Sequence, residues 1–216
     1  MFEQILNDSE ILTIYREIEK IEIMTEGWAY HNLAHVKNVA DLTEQLLRHL
    51  QEDNRFIEEA KVAALLHDIG SLEGKAGHAK RSYEYAKDYI KRHNITLKHE
   101  DLVLGAIKEH SNGFETNNPM ALVLILADKL DVTKHRLAPA GYKIDGLNEI
   151  KLVESIEVSI INETLHVHFI TQPSFNREAF ENFYFSKKIF QAIKSFSKKM
   201  KLNYEIKLNQ QEWDIN

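Results

Sequence analysis

The residues of this chain best suited to chemistry are histidines and carboxylates, and they come in groups. His31 and His35 stand four apart in His31-Asn32-Leu33-Ala34-His35. That spacing puts two imidazoles on one helix face, or has them straddle the start of a helix. His67 and Asp68 are adjacent in Ala63-Ala64-Leu65-Leu66-His67-Asp68-Ile69-Gly70, where an apolar run ends. Neighbouring side chains diverge by about 100° on a helix, but at a helix end the freer backbone lets both turn to one ion. His78 and His110 each fall near an end of their own helical segment, and Asp128 and Asp131 interrupt the apolar stretch around Ala127-Asp128-Lys129-Leu130-Asp131. Imidazole and carboxylate donors suit divalent transition ions: iron, manganese, cobalt, nickel or zinc.

Energetics single out two of the acids. Asp128 follows Leu122-Val123-Leu124-Ile125-Leu126-Ala127, so it is expected in a partly buried position. An unpaired buried charge costs several kcal/mol, on the order of a whole stability margin. Lys129 is adjacent, but helix neighbours face different ways, so a metal ion is the natural partner. The same reasoning applies to Asp68 after its own apolar run. The bland reading suits the remaining groups. His49, His93, His99, His135, His166 and His168 read as ordinary hydrogen-bonded histidines, and Asp131 as a surface or helix-pairing acid.

These groups need a scaffold, and the sequence patterning supplies one. Six helical segments are expected in the first 140 or so residues, over about 9–22, 33–50, 56–68, 76–93, 100–110 and 119–135. Asn32 reads as an N-cap, Gly70 as a helix stop, and Pro119 as a first-turn proline. The pattern then changes to alternation over 152–170, with a turn at Asn162-Glu163, which predicts a β-hairpin. An amphipathic helix over 177–200 and a third strand over 204–208 follow. The fold class is therefore mostly α, a helical body over 1–147 with a small C-terminal ββαβ appendage over 148–216.

Composition narrows the function classes. The chain has 216 residues, 44% hydrophobic and 28% charged, as in an ordinary globular protein. A net charge of −6 disfavours broad nucleic-acid binding, although a metal can supply local positive charge for a phosphorylated substrate. With no cysteine and 11 histidines, there is no disulfide framework, thiolate site or cysteine nucleophile. That suits a cytoplasmic location. The N-terminus does not read as a secretory signal, and no apolar run approaches the roughly 20 residues of a membrane span.

The order His … His-Asp … Asp, with its local contexts, resembles the HD-domain superfamily of metal-dependent phosphohydrolases. His35-Val36-Lys37-Asn38-Val39-Ala40 is similar to that family's first histidine and the helix after it. Ala64-Leu65-Leu66-His67-Asp68-Ile69-Gly70 is similar to its signature, and Leu126-Ala127-Asp128-Lys129-Leu130 to its last aspartate. The resemblance implies an HD-type helical bundle in which His35, His67, Asp68 and Asp128 hold one metal. His78 and His110 match the added histidines of two-metal members, where Asp68 would bridge both ions. His31 resembles an extra histidine of some branches, a ligand or a phosphate contact. The Gly-Tyr-Pro element of the cyclic-dinucleotide branch is absent from the sequence.

The implied activity is hydrolysis of a nucleotide or related small phosphate ester or anhydride by metal-activated water, with Asp68 as the catalytic residue that orients the water in a one-metal site or bridges the ions in a two-metal site. Lys80, Arg81, Lys108, Lys129 and Arg136 lie near the motifs and are the candidates for phosphate contact. A non-catalytic metal- or nucleotide-binding sensor is the alternative, and a homodimer is compatible with either. The appendage lies outside the resemblance.

Overall fold

The structure is a computed structural model in which residues 1–215 are described. Its helices begin where short polar side chains can accept backbone N–H groups. After a short α1 (Phe2–Leu6), Asp8 caps α2 (Ser9–Met24) by accepting from the Glu10 amide. Asn32 caps α3 (Leu33–His49) through the His35 amide, and Asp53 caps α4 (Asn54–Leu66) through Phe56. Then come α5 (His78–Arg92) and α6 (Glu100–Glu109). Asn118 caps α7 (Pro119–Leu130), whose first residue is the proline expected there. Each cap satisfies donors that the first turn leaves unpaired.

Three helix ends differ from the sequence expectation, and two of the differences shape the site. α4 stops at Leu66, and a 3-10 turn, Ile69–Glu73, follows. Gly70 lies inside that turn rather than terminating a helix. A Cβ on it would come within 2.5 Å of His78 O and Ser82 N, so glycine is required by the close approach of α5. α7 ends at Leu130 rather than near 135, because Asp131 leaves helical geometry with ψ 68°. The C-terminal helix is broken at Phe183, in extended conformation, into α8 (Arg177–Asn182) and α9 (Tyr184–Met200).

The C-terminal sheet is as the alternation predicts, with one short strand added. β1 (Val153–Ile161) and β2 (Thr164–Thr171) form an antiparallel hairpin. Its turn residues Asn162 and Glu163 both take positive φ, the geometry of a tight two-residue hairpin. β3 (Asn203–Leu208) runs parallel to β2 after the α9 crossover, and β4 (Gln211–Glu212) closes the order β1-β2-β3-β4. Leu165, Val167 and Phe169 face inward, while His166 and His168 lie on the opposite face.

This layer is packed against the helices. Its buried residues join one hydrophobic cluster with those of the helical bundle. Gln45 on α3 donates to Val158 O at 2.7 Å, and Ser195 on α9 donates to Phe114 O at 2.7 Å. The start of α9, at Tyr184, Phe185 and Lys188, lines a cavity with Asp68, His110 and Asp128, at the end of the bundle where α4, α6 and α7 end. No helix among the described residues is long and apolar enough to cross a membrane.

Candidate metal centre

Helix ends converge on one spot. His35 lies in the first turn of α3, and His67 and Asp68 directly follow α4. His78 opens α5, His110 follows α6, and Asp128 lies in the last turn of α7. Two donor sets result, His35–His67–Asp68–Asp128 and Asp68–His78–His110, with the donor atoms of each within 4.8 Å of one another.

Asp68 belongs to both sets and turns a different oxygen to each. Its Oδ2 lies 3.3 Å from His35 Nε2 and 3.2 Å from His67 Nε2. Its Oδ1 lies 3.2 Å from His78 Nε2 and 3.5 Å from His110 Nε2. Asp128 Oδ1 completes the first set, 3.3 Å from His35 Nε2 and 3.8 Å from His67 Nε2. Ligands each about 2.1 Å from a shared ion stand roughly 3.0–3.5 Å apart, and all of these spacings but the 3.8 Å one fall in that range.

The other ring nitrogens fix the tautomers. His67, His78 and His110 repeat one local device, in which Nδ1–H donates to the carbonyl three residues earlier. The acceptors are Ala64 at 2.6 Å, Lys75 at 2.8 Å and Ile107 at 2.7 Å. His35 Nδ1–H donates instead to Asp131 Oδ2 at 2.6 Å. In the neutral ring each Nε2 therefore carries the lone pair, the form that binds a metal. His78 and His110 point their Nε2 atoms at each other at 2.8 Å. With both Nδ1 hydrogens committed to carbonyls, that contact demands a cation, proton or metal.

Protein groups alone leave the centre unsatisfied. His35 Nε2, His67 Nε2 and Asp68 Oδ2 are buried without a hydrogen-bond partner, and native proteins leave few such atoms orphaned. The electrostatics also call for positive charge. Burial raises the Asp68 carboxyl, but His67, His31 and Lys75 outweigh it and hold the group well below its usual range. Burial likewise opposes Asp128, which Lys129, His35 and His67 hold well down. Burial pulls His67 down, yet Asp68 and Asp128 push it up to about 9. Burial, helped by His67, pushes His110 down to about 4 against the pull of Asp68. The His/Asp cluster is thus able to hold metal ions.

Above the centre lies a cavity of about 510 Å³ whose walls include Lys75, Lys129, Arg136 and Lys188. Two of the sequence candidates for phosphate contact, Lys129 and Arg136, are here and buried. Lys129 corrects one expectation: its long stem folds back, so its ammonium pairs with the adjacent Asp128 carboxylate. Arg136 keeps Nη1 without a partner. Lys80 and Lys108 are exposed and not in the cavity wall. Arg81 is also elsewhere, since its guanidinium donates to the carbonyls of Gly70 at 2.9 Å and Ala76 at 2.7 Å, and to that of Gly74. It clamps the loop after Asp68. His31 enters neither donor set; its Nδ1 faces Glu22 and its Nε2 faces the Lys75 ammonium.

Sequence reasoning missed three residues. Asp131 was expected as a surface or helix-pairing acid, and it is the buried acceptor for His35 and, at 3.2 Å, for Asn38. Lys75 is exposed as a residue, but its ammonium end reaches the buried His31 ring, where burial pulls it down to about 8. Gly74 and Gly77, both at positive φ, bracket it, and glycines on either side of a lysine just before His78 were a readable signal. Lys188, on α9, has no local signal at all.

Residues 32–133 match the HD domain family model. The matched segment is the one that carries the motif order His35, His67-Asp68 and Asp128. A solved structure similar to the chain is that of a predicted HD superfamily hydrolase from an uncultured Thermotogales bacterium, 27% identical, covering 57% of this chain and 67% of that one, with a TM-score of 0.45. No curated protein matches the chain.

Proposed function

We propose that this protein is a metal-dependent phosphohydrolase acting on a small phosphorylated substrate, with a nucleotide as the favoured class. The observation that carries the reading is the division of the Asp68 carboxylate between two buried donor sets that protein groups leave unsatisfied. The HD domain match supports it. So do the cationic side chains in the wall of the cavity above.

His35, His67, Asp68 and Asp128 would hold one ion, and Asp68, His78 and His110 a second. A bound divalent ion lowers the pKa of a coordinated water from about 15.7 towards 7 and neutralises phosphoryl oxygens. The chain's own residues do the rest. Asp68, kept ionised by His67, His31 and Lys75 against its burial, orients the attacking water. Arg136 and Lys75 receive the phosphoryl oxygens, and Lys129 holds Asp128 in place while adding positive charge. Iron, manganese, cobalt, nickel and zinc all suit this donor set.

The test is phosphate release from a panel of nucleotides, dinucleoside polyphosphates and simple esters with each metal, anaerobically for iron, beside Asp68→Ala. Turnover that the substitution abolishes supports the reading. Absence of turnover with every metal, while metal and nucleotide still bind, replaces it with a non-catalytic sensor.

A further inference from the structure

A second chamber opens beside the metal centre, about 290 Å³ in volume. It shares His31, Lys75, Arg136, Tyr184 and Phe185 with the cavity above the ions. Its own walls are largely apolar, and among them are Ile21, Trp28, Leu137, Leu147, Ile150 and Phe183. None of these six lies in the matched HD segment. The metal donors lie inside that segment, and, Val132 apart, the apolar walls come from the sequence on either side of it.

The chamber is a built feature. Residues 28–30 form a short antiparallel strap with 136–138, in which Tyr30 N donates to Arg136 O at 2.9 Å and Ala138 N to Trp28 O at 3.1 Å. The strap fixes Trp28 and Arg136 relative to each other. Gly141 packs so tightly on it that a Cβ would come within 2.1 Å of Trp28 O. Phe183, Tyr184 and Phe185 close the far side where α8 breaks into α9. Arg136 stands at the seam of the two spaces, 7% exposed, with Nη1 unpartnered. A buried guanidinium with a free donor is suited to an anion.

We infer that the chamber takes the group esterified to the phosphate, and that this group is uncharged and presents a flat ring to the largely apolar walls. The inference rests on the phosphohydrolase reading for the word ester, but the pocket itself is testable by binding. Arg136 holds the phosphate at the seam, oriented to the metal centre, and the ring lies against Trp28 and Phe185. The volume is at the small end of ligand pockets, about 300–1,000 Å³, so it accepts one ring system rather than an extended chain. The HD domain thus provides the metal-binding residues, and the segments outside it, including the appendage, select the substrate.

The experiment compares three non-hydrolysable ligands by calorimetry on the manganese-loaded full chain: methylphosphonate, naphthylmethylphosphonate and a 5′-phosphonate of adenosine. A ring buried in the chamber strengthens binding over methylphosphonate by about 10- to 100-fold. Trp28→Ala and Phe185→Ser should each remove most of that gain, and Trp28→Ala, which touches the chamber and not the cavity above the ions, should leave methylphosphonate affinity unchanged. Trp28 is 43% exposed, so its truncation spares the core, and circular dichroism confirms folding. A gain for the adenosine compound alone identifies the ring as a nucleobase; a gain for the naphthyl compound identifies a less polar ring. If neither ligand gains over methylphosphonate, or the gain survives both substitutions, the inference is overturned. A substitution-sensitive gain in a protein that hydrolyses no phosphate would keep the chamber and discard the hydrolase.

Discussion

Asp131 accepts the Nδ1 hydrogen of His35 at 2.6 Å across 96 residues of sequence. The bond ties the first turn of α3 to the residue that ends α7, and it fixes the tautomer that points His35 Nε2 at Asp68 and Asp128. Burial works against the Asp131 carboxylate, but His35 and Arg136 hold it below its usual range. An orienting acceptor behind a metal-binding histidine is worth about 10–100-fold in metal affinity. Asp131→Ala should lower affinity by that factor in a chelator competition, with Asp131→Asn, which retains an acceptor oxygen, falling between. An unchanged affinity in the alanine variant would remove Asp131 from the site.

The opposed oxygens of Asp68 lead to a stoichiometry. His110→Ala removes one of the three members of the Asp68–His78–His110 set and leaves the four-residue set intact. Metal content after equilibrium dialysis should fall from about two ions per chain to about one, by the count of donor sets. Asp68→Ala, which damages both sets, should bring it close to zero. Content that does not change in His110→Ala would mean that His78 and His110 hold a proton rather than a metal between them.

The sequence was most readable where short-range chemistry sets the outcome. Asn32, preceding an amphipathic run, announced the start of α3, and Asn162-Glu163 announced the hairpin turn. The grouping of His35, His67-Asp68 and Asp128 was visible because each sits at or near a helix end in an apolar context. Long-range pairings left no such trace. Nothing local tells that Lys188, some 60 positions after Asp128 by the numbering, returns to the same cavity on α9. Helix angles describe where Cβ points, whereas four methylenes let the Lys129 ammonium reach back to its neighbour. Gly70 was read as a stop from its position after the helix, and the true constraint, the backbone of α5 at 2.5 Å, is tertiary.

Arg136 separates binding from chemistry. It is buried, it has an unpartnered Nη1, and it lines both the metal cavity and the apolar chamber. Hydrogen bonds involving a charged group contribute about 1.5–3 kcal/mol, so Arg136→Gln should raise KM about 10- to 100-fold. Metal content should be unchanged, because Arg136 is in neither donor set. Arg136→Lys retains the charge but loses the planar fork, and should recover only part of the loss. Equal KM values in wild type and the glutamine variant would place the phosphate elsewhere.

One contribution to the acid limb of stability lies outside the metal donor sets. Glu10, in the first turn of α2, accepts from Arg92 Nη2 at 2.8 Å, from Arg92 Nη1 at 3.1 Å and from Tyr85 Oη at 2.6 Å. The Arg92 and Tyr85 hydrogen bonds, against the opposing effect of burial, lower its carboxyl from 4.5 to about 2. A depressed carboxylate stabilises the folded state fully above its unfolded value, and that contribution is lost as pH falls through the folded one. The window therefore runs from about pH 4.5 down to about 2. The Glu10 side chain is 35% exposed, so solvent screening keeps the contribution to about 1 kcal/mol or less. Urea midpoints measured across this range should fall less steeply in Glu10→Gln than in wild type, with the two curves offset by a constant amount above pH 5 or so. Parallel curves throughout the acid range would show that the link between α2 and α5 does not depend on this charge.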